Sequence, residues 1–210
     1  MKLVAFFIRH GETDLNNPPD GSEEKFRGDA DVPLNMEGQK QAQDIPIYLK
    51  GYRLSAIYHS GKHRTTQTAQ PLAEAKGIQS VSLKNLDSLD TGEFTGLPKN
   101  EENREKLAYY RDHPEEKIPG GESVQDFRDR VDPIIANSVK IGEEAGAPVA
   151  VVVHGSVMRE VSRLFDESYD SLKVDPGGIV GVMKEKSGEY AAMPLVKMSE
   201  SEEDMDNAGS

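Results

Sequence analysis

The sequence contains no cysteine and no tryptophan. Without cysteine the chain can form neither disulfides nor thiolate metal sites, and it suits a reducing interior, so a cytoplasmic location is expected. Long apolar runs are missing too. The first, residues 3–8, is closed by Arg9 and His10 and is too short for a secretory signal or a membrane span, so neither is expected. Positive charge is scarce: 25 Lys and Arg stand against 37 Asp and Glu, a formal net charge of −12. Glu200, Glu202, Glu203, Asp204 and Asp206 crowd into residues 198–210, which hold no Lys or Arg, and the rest of the chain is still acidic. That balance disfavours a nucleic-acid groove or an anionic membrane as partner. It also gives weight to any local cluster of Arg and His, because an acidic chain has few cations to scatter.

What is present is a regular alternation of strand and helix signals. The 210 residues suit one domain, and folding at this size hides roughly 70% of the unfolded chain's surface, so no staple is needed. A single catalytic domain is expected over residues 1–197, followed by an acidic, disordered tail over 198–210. Residues 3–9 form a buried strand, and Asn35 caps a helix with Ala42, Ile45 and Leu49 inward, ended by Gly51. Residues 54–59 form a second strand, and Ser60 is placed to cap the helix after it. Residues 81–84 are a short strand, and 122–144 a long helix with Val124, Phe127, Val131, Ile134 and Ile135 on one face. Residues 149–153 are wholly apolar and mostly β-branched, the pattern of a strand buried on both sides. Late strands over 179–183 and 190–196 are joined by a hairpin. The fold class is therefore α/β: a three-layer αβα sandwich with a mostly parallel central sheet and an antiparallel edge. Residues 99–117, highly charged but carrying Leu107, Tyr109 and Tyr110, look like an inserted cover over one end of the sheet.

In open α/β sheets ligands bind beyond the carboxyl ends of the parallel strands. Arg9 and His10 follow the first strand, Ser60 to Arg64 the second, and His154 with Gly155 the strand at 149–153. Two imidazoles and two guanidiniums thus come from three separate strand ends. Guanidinium forks match phosphate oxygens and stay charged at any working pH. Arg64 also lies near a helix start, where free N–H groups and the dipole favour an anion. A histidine among such cations keeps its lone pair and can attack phosphorus.

These residues also carry a resemblance. Arg9-His10-Gly11-Glu12-Thr13 resembles the R-H-G-E-T signature of the histidine phosphatase superfamily, the phosphoglycerate mutase-like proteins. Phe26-Arg27-Gly28, Asp31-Val32-Pro33-Leu34-Asn35, Ser60 with Arg64-Thr65-Thr66-Gln67-Thr68-Ala69, Gly120-Gly121-Glu122-Ser123 and Val153-His154-Gly155 resemble its later blocks in order. The resemblance implies that His10 is the nucleophile, that Arg9, Arg64 and His154 hold the phosphoryl group, and that Asn16, Gly11, Thr13 and Gly155 line the phosphate site. It implies no metal and no organic cofactor. His10 would then take the phosphoryl group of a small phosphorylated substrate or phosphoprotein, phosphohistidine included, and pass it to water.

One position departs from the family. Where its hydrolytic branch places a glutamate, four residues before Gly92, this chain has Ser88. Asp90 is the first choice for the leaving-group acid, with Asp87 second and Glu93 third. Two other functions remain open: phosphoglycerate mutase-type transfer, and phospholigand binding without catalysis if the acid is lost. His59 and His63 stand four apart, but no carboxylate motif accompanies them, so no metal site is expected there. Oligomeric state and substrate identity are not legible.

Overall fold

The chain is described by a computed structural model covering residues 1–165 and 174–196. The tail expected at 198–210 lies outside these. In chain order the elements are β1 (Lys2–Arg9), α1 (Met36–Tyr48), β2 (Ala56–His59), α2 (His63–Lys76), β3 (Ser80–Ser82), α3 (Glu101–Asp112), α4 (Val124–Ala145), β4 (Val149–Val153), α5 (Gly155–Phe165), β5 (Ile179–Lys184) and β6 (Tyr190–Val196), with a short 3-10 turn at Gly92–Phe94.

The strands make one sheet in the order β3-β2-β4-β1-β5-β6. β3, β2, β4 and β1 are parallel; β5 runs antiparallel to β1, and β6 antiparallel to β5. The expected parallel sheet with an antiparallel edge is what forms. β1 and β4 can occupy its centre because every residue of β4 and the run Val4 to Ile8 are buried, and neither stretch carries a polar side chain that would need water.

Alternation along these strands builds two cores. Phe6, Ile8, Ala150 and Val152 face Ile45 of α1, Leu49 just after it and Leu72 of α2. Phe7, Val149, Val151 and Val153 face Phe127, Val131 and Ile135 of α4 and Val157 and Val161 of α5. Each fully buried aliphatic or aromatic side chain contributes about 1.5–3 kcal/mol, so the sheet's two faces are the main source of stability. Helices run through Pro46, Pro71 and Pro133. Within residues 99–117, α3 forms after an Asn100 cap, and Tyr110 packs edge-on against Phe94.

Helix starts are set by local side chains in most cases. Asn35 Oδ1 accepts from Gly38 N at 2.8 Å, and Ser123 Oγ from Asp126 N at 3.0 Å. α2 differs from expectation. Its cap position is Lys62, with no side-chain cap bond, and Ser60 lies outside the helix. Asp31, from a distant loop, supplies the acceptor instead, its Oδ1 taking His63 N at 2.8 Å. Ser60 is thereby released for another partner. Likewise α1 ends at Tyr48 with Leu49 as its cap, ahead of Gly51.

Register nearly levels the three strand ends. Arg9 pairs with Val153 and His59 with Val152, so His10 and His154 leave the sheet level with each other and Ser60 one residue short of them. His10 N also donates to Val153 O at 3.0 Å, fixing the first turn beyond β1.

Candidate active site

His10 is fully buried at the carboxyl end of β1. Its Nδ1 lies 2.7 Å from Gly11 O, which can only accept, so Nδ1 carries the ring proton and Nε2 keeps the lone pair. Nε2 is buried with no hydrogen-bond partner. Burial, reinforced by the charges of Arg27, His154, Arg64 and Arg9, pushes its pKa well below the usual histidine value. The ring is a neutral nucleophile with a fixed tautomer.

The turn that presents His10 is held by close backbone approach. A Cβ on Gly11 would lie 2.4 Å from Gly38 O, and one on Gly38 would lie 2.0 Å from Glu12 O. Only glycine at both positions lets this turn rest against the first turn of α1. Glu12 serves the same contact: its backbone N donates to Gln41 Oε1 at 2.8 Å and its carboxylate accepts from Asn35 Nδ2 at 2.8 Å.

His154 follows β4, and its ring centre is 5.5 Å from that of His10. Arg64 Nε donates to its Nδ1 at 3.2 Å, so its proton sits on Nε2, which donates to Ser60 Oγ at 2.8 Å. Ser60 passes its own hydroxyl proton to Thr65 Oγ1 at 3.0 Å, and Thr65 donates to Lys62 O at 2.8 Å. Burial first, then Arg64, Arg27, Lys62 and Arg130, lower the His154 pKa well below normal. Both ring nitrogens are engaged within the protein, so in this arrangement His154 orients Arg64.

Arg64, fully buried in the first turn of α2, also donates from Nη1 to Ala30 O at 2.7 Å. Its Nη2 has no partner. Arg9 donates from Nη1 to Val174 O at 2.7 Å, and its Nε is buried and unpartnered. Gly155 lies under this guanidinium, where a Cβ would stand 3.5 Å from Arg9 Nε. Of the five buried polar side-chain atoms without partners among the described residues, three are Arg9 Nε, His10 Nε2 and Arg64 Nη2. Buried donors beside a nucleophile with nothing to satisfy them mark a site built for an anion.

A third guanidinium joins them. Arg27 donates from Nη1 to Thr13 Oγ1 at 3.3 Å, and burial together with Arg9 and Arg64 lowers its pKa to about 9. Sequence reasoning placed Arg27 in a family stretch without giving it a role. The available signal was an arginine beside Gly28 in an acidic chain. Thr13 and Asn16 are linked, Asn16 Oδ1 accepting from Thr13 N and Thr13 Oγ1, both at 3.1 Å. Asn16 Nδ2 donates to Glu24 Oε1 at 3.1 Å.

The candidate acids fall in different places. Asp90 Oδ1 accepts from Gly92 N at 3.0 Å, the carboxylate serving its own turn. Glu93 is exposed, its backbone N bound to Pro119 O. Asp87 has a buried, unpartnered Oδ1, a fourth member of that set of five. Burial raises its pKa, with Lys62, Arg130 and Arg64 pulling the other way. Its loop is gripped by Arg130 of α4, which donates to the carbonyls of Asn85, Asp87 and Ser88, each at 2.9 Å, while also pairing with Glu122. Glu122 Oε1 in turn accepts from Asp90 N at 2.9 Å. Ser88, the departing position, bonds Ser156 Oγ at 3.0 Å.

His59 and His63 do not converge: His59 Nδ1 accepts from Gly61 N, and His63 pairs with Asp31. Among the described residues no group of three or more His, Asp or Glu is placed to hold a metal ion, and no helix is long and apolar enough to cross a membrane.

The sequence matches the histidine phosphatase superfamily (branch 1) over residues 5–187, most of the chain and all of the site just described. The chain belongs to that superfamily. A relative from Salmonella choleraesuis named "Probable phosphoglycerate mutase GpmB" is 30% identical over 159 residues, covering 73% of this chain and 70% of its own. Among solved structures, phosphoglycerate mutase from Bacillus anthracis superposes with a TM-score of 0.76 at 23% identity, covering 94% of this chain and 95% of that one. Alpha-ribazole phosphatase from Shigella flexneri gives 0.68 at 24% identity, covering 92% and 95%. Mycobacterial glucosyl-3-phosphoglycerate phosphatase gives 0.72 at 22% identity, covering 94% and 99%. These superpositions give the superfamily's fold; mutases and phosphatases share it.

Proposed function

We propose that this chain hydrolyses phosphate monoesters through a covalent phosphohistidine on Nε2 of His10, with Asp87 rather than Asp90 as the leaving-group acid. The observation that carries the reading is the unpartnered, neutral Nε2 of His10 beside the open donors Arg9 Nε and Arg64 Nη2. Superfamily membership and the names of the phosphatase relatives support it.

The steps follow from these groups. The phosphoryl group lies among Arg9, Arg27 and Arg64, whose charge offsets that of the equatorial oxygens. His10 Nε2 attacks phosphorus in line; the P–N bond forms as the ester P–O bond breaks. Asp87, whose pKa burial raises, gives its proton to the departing alkoxide. Water then attacks, losing a proton to the Asp87 carboxylate, and the P–N electron pair returns to Nε2. His154 keeps Arg64 aimed throughout. No step calls on a metal ion. Work in the cytoplasm belongs to the same reading, supported by a chain without thiols.

GpmB's name points to a second reading, return of the phosphoryl group to a sugar acid. A phosphate-release screen over a panel of monoesters, with phosphoglycerate mutase activity assayed alongside, separates the two. Rapid quench should trap an acid-labile phosphoenzyme that His10→Ala lacks. Turnover by His10→Ala would end this reading.

A further inference from the structure

A carboxylate stands beside the anion site, where it should weaken phosphate binding. Glu24 acts on both Arg9 and Arg27, and on Lys99. It is held in place from two sides: Lys99 Nζ donates to Oε1 at 2.6 Å and Asn16 Nδ2 at 3.1 Å. The side chains are only 30% and 20% exposed for Glu24 and Lys99.

Backbone pairing fixes this geometry. Lys99 N donates to Glu24 O at 2.7 Å and Phe26 N to Leu97 O at 2.9 Å, so the two segments lie antiparallel. The Lys99 ammonium also sits 5.7 Å from the centre of the Phe26 ring. From Lys99 a continuous path runs through Glu24, Asn16 and Thr13 to Arg27. Lys99 therefore stands one layer out from the phosphate site, behind Glu24 and on the side of Arg27 and Arg9. Burial and the repulsion of Arg27 and Arg9 lower its pKa to about 8, even with Glu24 opposing them.

We infer that Glu24 is a specificity-determining residue: by occupying the Lys99 ammonium it selects phosphate esters with uncharged leaving groups over those carrying a second anion such as a carboxylate. This rests on the phosphate site proposed above. A hydroxyl-bearing leaving group leaves the Glu24–Lys99 pair intact. A carboxylate-bearing one must either displace Glu24, stranding a half-buried charge, or lie beside it and be repelled.

Two phosphonates that cannot be hydrolysed test this by binding alone. Propylphosphonate and 3-phosphonopropanoate have similar length and differ by a carboxylate. Their dissociation constants are measured calorimetrically near neutral pH and low salt for the full chain and its variants. Glu24→Gln should shift the ratio toward 3-phosphonopropanoate by roughly tenfold, the scale of one charge contact near a protein surface. Adding Lys99→Met should remove that shift. Lys99→Met alone, which leaves the Glu24 carboxylate without its partner, should move the ratio the other way, against 3-phosphonopropanoate.

An unchanged ratio in Glu24→Gln overturns the inference. So does a shift toward 3-phosphonopropanoate that persists when Lys99→Met is added to Glu24→Gln, which would show that Lys99 is not the group Glu24 occupies. Failure of the unsubstituted chain to bind either phosphonate would instead remove the phosphate site, and this inference with it.

Discussion

Arg64 Nε donates to Nδ1 of His154 across 3.2 Å, while Nε2 of that ring donates to Ser60. An imidazolium has no lone pair for a guanidinium to reach, so this contact exists only while His154 is neutral. Arg64 in turn leaves Nη2 for the anion. The second histidine and the second arginine are thus one unit, and protonating the ring would dislodge the cation.

Stability should therefore fall on the acid side of neutrality. His10 and His154 both have folded pKa values below that of the unfolded chain. Below about pH 6.5 the unfolded state takes up protons that the folded state refuses, so stability drops by about 1.4 kcal/mol per pH unit for each ring, until the folded values are reached. Urea titrations at several pH values should show this slope, and His154→Asn should roughly halve it. A flat profile from pH 7 to pH 5.5 would contradict the buried neutral rings.

The two aspartates should separate by leaving group. Asp87→Asn should slow alkyl phosphates by about 10²–10⁴ and activated aryl phosphates far less, since only poor leaving groups need the proton. Asp90→Asn should act chiefly on stability, through its bond to Gly92 N. The reverse pattern in steady-state kinetics would return the acid to Asp90.

Ser60→Ala should leave the His154 N–H buried without an acceptor. The cost is about 1–3 kcal/mol in a urea titration, with weaker phosphate binding as Arg64 loosens. Because α2 is capped by Asp31, Asp31→Ala should lower stability with a smaller effect on phosphate affinity.

Gly38→Ala, though far from the reacting atoms in sequence, should impair both folding and turnover. Its Cβ meets Glu12 O at 2.0 Å, and overpacking of this kind costs about 1–3 kcal/mol. Turnover measured well below the melting temperature should still be reduced, because the backbone that must yield is the turn carrying His10.

The strand ends were legible because their apolar patterns are local, and register between parallel strands needs only those patterns to be level. Arg9, His10, Arg64 and His154 follow from them. Ser60 misled for a physical reason: serine before a helix is the usual cap, and nothing nearby in sequence shows that Asp31 has taken the duty. Asp90 stands two residues before Gly92, where an aspartate commonly serves a turn, and that is the use the structure makes of it. Asp87 shows itself only through burial. Glu24 and Lys99 meet across a span of 75 residues, a pairing that no periodicity announces.

Arg130 grips the loop at 85–88 through peptide oxygens alone. Such a clasp is indifferent to what side chains the loop carries. The proton donor can then migrate between neighbouring positions over evolutionary time, or under a designer's hand, while the loop keeps its path. A chain lacking the familiar glutamate at position 88 is what that freedom permits.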